Sequence, residues 1–187
     1  MIVQMLQEFG PRLQGKLPGK RDYARLCELL SEASSGSVVF LDFAGVELVS
    51  GSWINAALVP LLAWAADERN DLFPALCNAN EAILDELALV ARYTHTCFLV
   101  ASGPIPPRRA ALVGLLDPGQ RSTLEALVAL QAVTGAELER QRPAEKIKAT
   151  AWNNRLKDLF EKRLLRRERR GREQVYSPVV KEITVNG

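Results

Sequence analysis

The chain has 187 residues, 48% of them hydrophobic and 25% charged, a composition typical of a globular protein with one large or two small domains. No apolar run reaches the roughly eighteen residues that a membrane span needs, and the N-terminus lacks the basic region of a signal peptide. We therefore expect a cytoplasmic protein. Cys27, Cys77 and Cys97 are scattered through apolar segments, which predicts buried free thiols and no zinc site.

The net charge of +2 conceals an uneven distribution. Residues 142–172 contain 12 Lys/Arg and 4 Asp/Glu, a net charge of +8. Residues 1–141 contain 11 Lys/Arg and 16 Asp/Glu, a net charge of −5. A concentrated basic segment on an otherwise acidic protein is typical of nucleic-acid binding. The plainer alternative is a solvated charged face, which accounts for most charge runs.

Extended and helical patterns alternate up to about residue 102, which predicts an α/β domain over residues 1–102. In chain order we predict a strand over 2–9, a loop over 10–20, a helix over 22–34, strands over 38–43 and 45–49, a helix over 52–67 that Pro60 should kink or restart, a strand over 72–77, a helix over 81–93 and a strand over 97–101.

The stretch Val38-Val-Phe-Leu-Asp-Phe-Ala-Gly-Val-Glu-Leu-Val-Ser-Gly-Ser-Trp carries a family resemblance. It resembles the STAS fold of anti-sigma-factor antagonists, and is closer still to a bacterial STAS-like family of unassigned function. The resemblance implies that Ser52 stands at the place of the serine that a kinase modifies in STAS proteins. A phosphate there would meet the unbonded N–H groups of a helix N-terminus. The alternative is that Ser52 is a plain helix N-cap.

A second predicted domain follows a Pro-rich linker at residues 103–109, because three prolines in five residues exclude a helix or a central strand. From residue 110 to 187 the order of elements is that of a winged helix-turn-helix. We predict a short strand over 110–116 that packs on this second domain, a helix from Asp117 to about Val133, a short helix over 135–142, a turn over 143–148, a long helix from Thr150 and a hairpin around Gly171.

The long helix and the hairpin are the most informative part of this domain. Trp152, Leu156, Leu159 and Phe160 recur at helical spacing and predict one buried face, so Trp152 is expected in the core rather than on a base-stacking surface. Thr150 is expected to cap the helix with its hydroxyl. After Leu164 the period changes to two around Arg169-Arg-Gly-Arg, which predicts the hairpin.

The sequence from Thr150 to Arg167 also resembles the recognition helix and wing entry of MarR/ArsR-type bacterial regulators. Arg163 stands where that family has Gly, so we expect a strained or differently shaped helix C-cap. The resemblance implies a recognition helix whose N-terminal residues face base edges in the major groove.

The polar face opposite Trp152 carries Thr150, Asn153, Asn154 and Lys157. Asparagine can bond adenine at two positions and threonine can touch a thymine methyl, so we assign Asn153 and Asn154 to base reading. Arg155 and Arg163 have the alternative of pairing with Glu161 or Asp158. The residues predicted to contact DNA are Lys146, Lys148, Thr150, Asn153, Asn154, Arg155, Lys157, Arg169, Arg170 and Arg172.

These patterns predict a homodimeric transcriptional regulator that binds double-stranded DNA, with the STAS-like domain serving dimerisation or the sensing of a signal or partner. The alternative is a STAS-type protein-interaction switch bound by a kinase or partner protein. RNA or single-strand binding is disfavoured because aromatic residues are not interleaved with the basic ones. We expect no enzyme, metal or cofactor, because the single histidine, His95, has no visible catalytic partner.

Overall fold

The computed structural model describes residues 1–185 of the chain. Within these residues, six strands form one mixed sheet. The α-helices are α1 Met5–Phe9, α2 Lys16–Ser31, α3 Gly51–Asp67, α4 Glu81–Thr94, α5 Pro118–Leu130, α6 Gly135–Gln141 and α7 Ala149–Glu161. The strands are β1 Ile2–Gln4, β2 Arg12–Leu13, β3 Val38–Asp42, β4 Leu48–Val49, β5 Phe73–Cys77, β6 Phe98–Ala101, β7 Arg109–Val113, β8 Leu165–Arg170, β9 Glu173–Pro178 and β10 Glu182–Val185.

The strand order in the large sheet is β1-β3-β5-β6-β7-β10. The first four strands are parallel, β7 is antiparallel to β6, and β10 is parallel to β7. The predicted mixed sheet with helices is thus confirmed. The short strand expected over residues 110–116 is present as β7, and its Ala110 and Leu112 lie in one apolar cluster with α5, α6 and α7, the elements that follow it. Its pairing with β6 was not expected. A turn through residues 102–108 carries the chain back to the otherwise unpaired edge of β6. The sheet therefore extends on both sides of the predicted linker.

Helices cover both faces of this sheet, because successive side chains of a strand point to opposite sides. In β3, Val39 and Leu41 join the apolar cluster that α2, α3 and α4 cover. Phe40, between them, joins the cluster that α5, α6, α7 and the β8–β9 hairpin cover. The two layers of helices are thus separated by the sheet. None of the helices in residues 1–185 combines the length and apolar character that spanning a membrane requires.

The first thirty residues differ from the prediction. The predicted strand over 2–9 ends at Gln4 and continues as α1, and the predicted loop over 10–20 contains β2 and the start of α2. Pro18 lies in the first turn of α2, where a proline N–H would have no helical partner anyway. Gly19 is buried against α3, where an added Cβ would lie 2.9 Å from the Ala56 Cβ. The glycine and proline therefore serve helix initiation and packing rather than a loop.

Two further predictions have a clear outcome. Helix α3 begins one residue earlier than expected and continues through Pro60 to Asp67, so the proline does not end it. The three cysteines form no disulfide. Cys77 and Cys97 are buried as predicted, whereas Cys27 is only half-buried.

Candidate nucleic-acid interface

Helix α7 is held by one apolar face, as its periodicity predicts. Trp152, Leu156 and Leu159 are completely buried, and they pack in the cluster shared with α5 and α6. The opposite face presents Thr150, Asn154 and Lys157 to solvent. Because the whole stripe is buried, the orientation of the polar face is set by the core and not by the polar residues themselves.

The N-terminus of α7 is capped differently from the prediction. The helix begins at Ala149, one residue before Thr150, so the Thr150 hydroxyl cannot act as the N-cap. Glu139 of α6 takes this role. One carboxylate oxygen accepts the Ala149 N–H at 2.9 Å, and the other lies 3.3 Å from the Lys148 Nζ. The hydrogen bond from Ala149, followed by the contact with Lys148, lowers the pKa of Glu139. A carboxylate suits a helix N-terminus because of the partial positive charge there.

The two asparagines of α7 have different environments. The Asn153 Oδ1 accepts a hydrogen bond from the Gly135 N–H at 3.2 Å, at the first residue of α6. A Cβ added at Gly135 would also lie 2.7 Å from the Ala149 carbonyl oxygen, so the two helices meet closely here. Asn154 is exposed, and its side chain makes no hydrogen bond with another described residue. Asn153 is therefore partly used in packing, whereas the whole Asn154 amide faces solvent.

The predicted hairpin is confirmed. Strands β8 and β9 pair antiparallel, with Arg170 opposite Glu173, so Gly171 and Arg172 form a two-residue loop. Gly171 has φ +63°, a conformation that glycine adopts without strain, as hairpin loops of this length require. Arg169, Arg170 and Arg172 are all exposed at this end of the hairpin.

The hairpin is fixed beside α7 by two contacts. Val133 and the buried Tyr176 of β9 exchange backbone hydrogen bonds of 2.9 Å in each direction, which ties β9 to the segment between α5 and α6. The Arg167 guanidinium lies 4.3 Å from the centroid of the Phe160 ring at the end of α7. These contacts make the helix and the hairpin a single unit.

A groove of about 350 Å³ lies where α6, α7 and the hairpin meet. It brings together four predicted site residues, Asn153, Asn154, Lys157 and Arg172. Sequence reasoning missed another groove residue, Gln174. The one feature of the sequence that could have indicated Gln174 is the register of the predicted hairpin, which places it opposite Arg169.

The other predicted residues lie outside this groove. Lys146 and Lys148 flank a separate cavity before α7, and Thr150 is exposed on the first turn. Arg155 turns away from the groove: its guanidinium lies 5.4 Å from the Trp152 ring centroid, and it packs against Gly119 of α5. Arg155 thus contacts the protein rather than the exposed polar surface.

Several of the exposed cations have acidic partners. The Lys157 Nζ lies 3.5 Å from a Glu161 carboxylate oxygen, and an Arg170 guanidinium nitrogen lies 3.0 Å from Glu168. Arg169 donates to the Gly171 carbonyl at 3.2 Å. Exposed pairs of this kind are worth about 0–1 kcal/mol, so a phosphate can compete for these side chains.

Arg163 has an unexpected role. It does not take the alternative pairing with Glu161 or Asp158, because its Nη1 donates to the carbonyl oxygens of Ala65 at 3.1 Å and Asn70 at 3.0 Å. The residue is 2% exposed and has φ +61°, a left-handed conformation that glycine adopts more readily than arginine. Burial, followed by repulsion from Arg167, lowers the pKa of Arg163 to about 10. This side chain connects the C-terminal end of α7 to the C-terminal end of α3.

Ser52, the predicted phosphate acceptor, is exposed in the first turn of α3. It is not the N-cap, which was the alternative assignment. Ser50 holds that position, and its Oγ accepts the Trp53 N–H at 3.3 Å and the Gly15 N–H at 3.2 Å. The Ser52 Oγ lies 3.1 Å from that of Ser50. Lys16 and Lys20 of α2 line a cavity of about 470 Å³ together with Ser52.

Within residues 1–185, no three or more His, Cys, Asp or Glu side chains are grouped so as to hold a metal ion. Comparison with known proteins does not place the chain in a family: no family model matches it, and neither a curated protein nor a solved structure shows significant similarity.

Proposed function

We propose that the protein is a transcriptional regulator that binds duplex DNA through a winged helix formed by α5, α6, α7 and the β8–β9 hairpin. The observation that supports this most strongly is the groove in which the exposed face of α7 meets the arginine-rich hairpin tip. A helix that is anchored in the core by a buried apolar face and exposes a polar face can enter a major groove without unfolding. A basic hairpin beside it can contact the phosphates of the DNA backbone.

The contacts differ in what they would contribute. Asn154 is the best candidate for base reading, because its amide is exposed and can bond adenine at two positions. Asn153 supports α6 with its oxygen and has only its amide nitrogen to offer. Arg169, Arg170 and Arg172 would contact phosphates or the minor groove, where they add affinity but little sequence preference.

The N-terminal part of the chain has the role of a STAS-like domain in this proposal, pairing subunits or receiving a signal. Arg163 supports a connection between the two parts, since it joins α7 to the backbone at the end of α3. A shift in the position of α3 would therefore also displace the C-terminal end of α7, the helix proposed to contact DNA.

Fluorescence anisotropy with a labelled random duplex, measured between 50 and 200 mM salt, would test the proposal. We expect steep salt dependence, because each neutralised phosphate releases bound counterions. Arg170→Ala with Arg172→Ala should weaken binding to every sequence and reduce the logarithmic salt slope by roughly one per lost contact. The matched control is Arg12→Ala with Arg21→Ala, which removes two exposed arginines from β2 and α2.

Asn154→Ala addresses sequence preference. Selection from a randomised duplex pool should show relaxed preference at one position for this variant, with the salt slope unchanged. Wild-type protein that fails to bind duplex DNA at 50 mM salt would disprove the proposal, and so would equal effects of the hairpin and control double variants.

A second candidate function, a protein-interaction switch of the STAS type, is favoured by the surroundings of Ser52. A phosphate on Ser52 would lie at the N-terminal end of α3 and beside the cavity lined by Lys16 and Lys20. Phosphate on Ser52 in protein isolated from its own cells, together with an absence of salt-dependent DNA binding, would favour this candidate over the first.

A further inference from the structure

The outward face of α4 has an unusual arrangement of charge. Asp85 and Arg92 are both exposed, and they are separated by seven residues, so at about 100° per residue they lie on one line along the helix. Residues three and four positions away can pair on a helix, but seven positions correspond to about 10 Å along the axis. Asp85 and Arg92 therefore cannot pair with each other within one copy.

Neither charge has another partner in residues 1–185, where no opposite charge lies within 4.0 Å of Asp85 or Arg92. The residues between them on the same line are apolar, namely Ala88 and Leu89. The stripe thus reads acid, apolar, base along the helix. A second stripe of the same kind complements it when the two run in opposite directions.

Exposed apolar side chains flank this stripe. Leu89, within the stripe, is 56% exposed, and Tyr93, beside it on one side, is 82% exposed. On the other side, Leu115 is 62% exposed and borders an apolar groove of about 370 Å³ between α4 and β7. Large exposed apolar side chains grouped on one surface are typical of a surface that another protein covers.

We infer that α4 packs antiparallel against α4 of a second copy of this chain, about a two-fold axis that passes between Ala88 and Leu89. In this arrangement Asp85 of each copy faces Arg92 of the other, and each Leu89 packs on the small Ala88 side chain of its partner. A two-fold interface must be self-complementary, and the order of charges on α4 meets that condition. The occupant is a second copy because the stripe complements itself.

The inferred pairing of the two α4 helices would be the dimer interface of the proposed regulator, and in this respect it rests on the proposed function. It is also compatible with that function. The buried face of α4 lies in the cluster on one side of the sheet, whereas α7 lies in the cluster on the other side. Pairing through α4 therefore leaves the exposed face of α7 and the hairpin tip uncovered in both copies.

A charge-swap experiment on the full chain tests the inference by sedimentation velocity between 1 and 100 μM protein at low salt. Asp85→Arg and Arg92→Asp each place like charges opposite one another twice per dimer. Each single change should raise the dimer dissociation constant at least about tenfold. The combined Asp85→Arg, Arg92→Asp variant restores opposite charges in exchanged positions and should return the constant to within about threefold of wild type.

Glu32→Arg, an equal charge change at the exposed C-terminal end of α2, is the matched control and should leave association unchanged. Circular dichroism of each variant separates loss of pairing from loss of fold. A wild-type chain that is monomeric at 100 μM overturns the inference, and so does a double variant that pairs no better than the single ones. DNA affinity is measured separately. A chain that dimerises through α4 but does not bind DNA would disprove the proposed function and would still support this dimer surface.

Discussion

Replacing Arg163 with glycine tests whether the buried guanidinium stabilises the fold. Arg163 has φ +61°, a conformation that costs an L-residue about 1 kcal/mol or more and glycine almost nothing. On backbone conformation alone, Arg163→Gly should therefore stabilise the protein. The side chain acts in the opposite direction, because it donates to the carbonyl oxygens of Ala65 and Asn70.

The magnitude follows from these contacts. Hydrogen bonds that involve a charged group contribute about 1.5–3 kcal/mol each, so the two bonds together are worth about 3–6 kcal/mol. The guanidinium also lies 4.3 Å from the Phe160 ring centroid, which adds attraction between the cation and the ring. Two costs oppose these gains: the strained φ, and the desolvation of Nε and Nη2, which are buried without a partner. We expect Arg163→Gly to lower the free energy of unfolding by about 2–4 kcal/mol.

Urea unfolding followed by circular dichroism measures this change. Lys146→Gly is the matched control, since Lys146 has φ +53° but an exposed side chain. The free energy of unfolding of that variant should be unchanged or higher by about 1 kcal/mol. If Arg163→Gly were as stable as Lys146→Gly, the reasoning would be refuted, and the cost of burying the charge would have to cancel its hydrogen bonds.

Three further outcomes are expected. Ser50→Ala should destabilise the protein by about 1 kcal/mol or more because the Ser50 Oγ accepts two backbone N–H groups, whereas Ser52→Ala should change urea unfolding by less than about 0.5 kcal/mol. Gly135→Ala should cost about 1–3 kcal/mol, since the added Cβ would press on the backbone of α7; an unaltered urea midpoint would contradict this packing. Burial, followed by the charge of Asp42, raises the pKa of the Cys77 thiol to about 12 from 9.0. A folded pKa above the unfolded one means that the contribution of this thiol to stability is complete below pH 9 and is lost as the pH rises toward about 12. Cys77→Ala should therefore flatten the fall in unfolding free energy measured between pH 8 and 11.

Local sequence signals predicted the elements of the candidate site better than their connections. The apolar spacing of Trp152, Leu156 and Leu159 determined which face of α7 is buried, and the change to a period of two around Gly171 located the hairpin. Each signal lies within about ten residues of chain, the range over which helical and strand periodicity operates. The same reasoning failed at Pro18 and Gly19, because packing against α3 turned a loop composition into the start of a helix.

The sequence by itself determined the alternation of helices and strands, the buried stripe of α7 and the basic hairpin beside it, since all three follow from the order of neighbouring residues. Only the tertiary structure decided that Glu139 caps α7, that β7 and β10 extend the N-terminal sheet, and that Arg163 bonds the carbonyl of a residue 98 positions away. A carboxylate or a guanidinium is compatible with many partners in an extended chain. Which partner it takes depends on the backbone groups that burial leaves unbonded nearby, and those are defined only once the sheet and its two layers of helices have assembled.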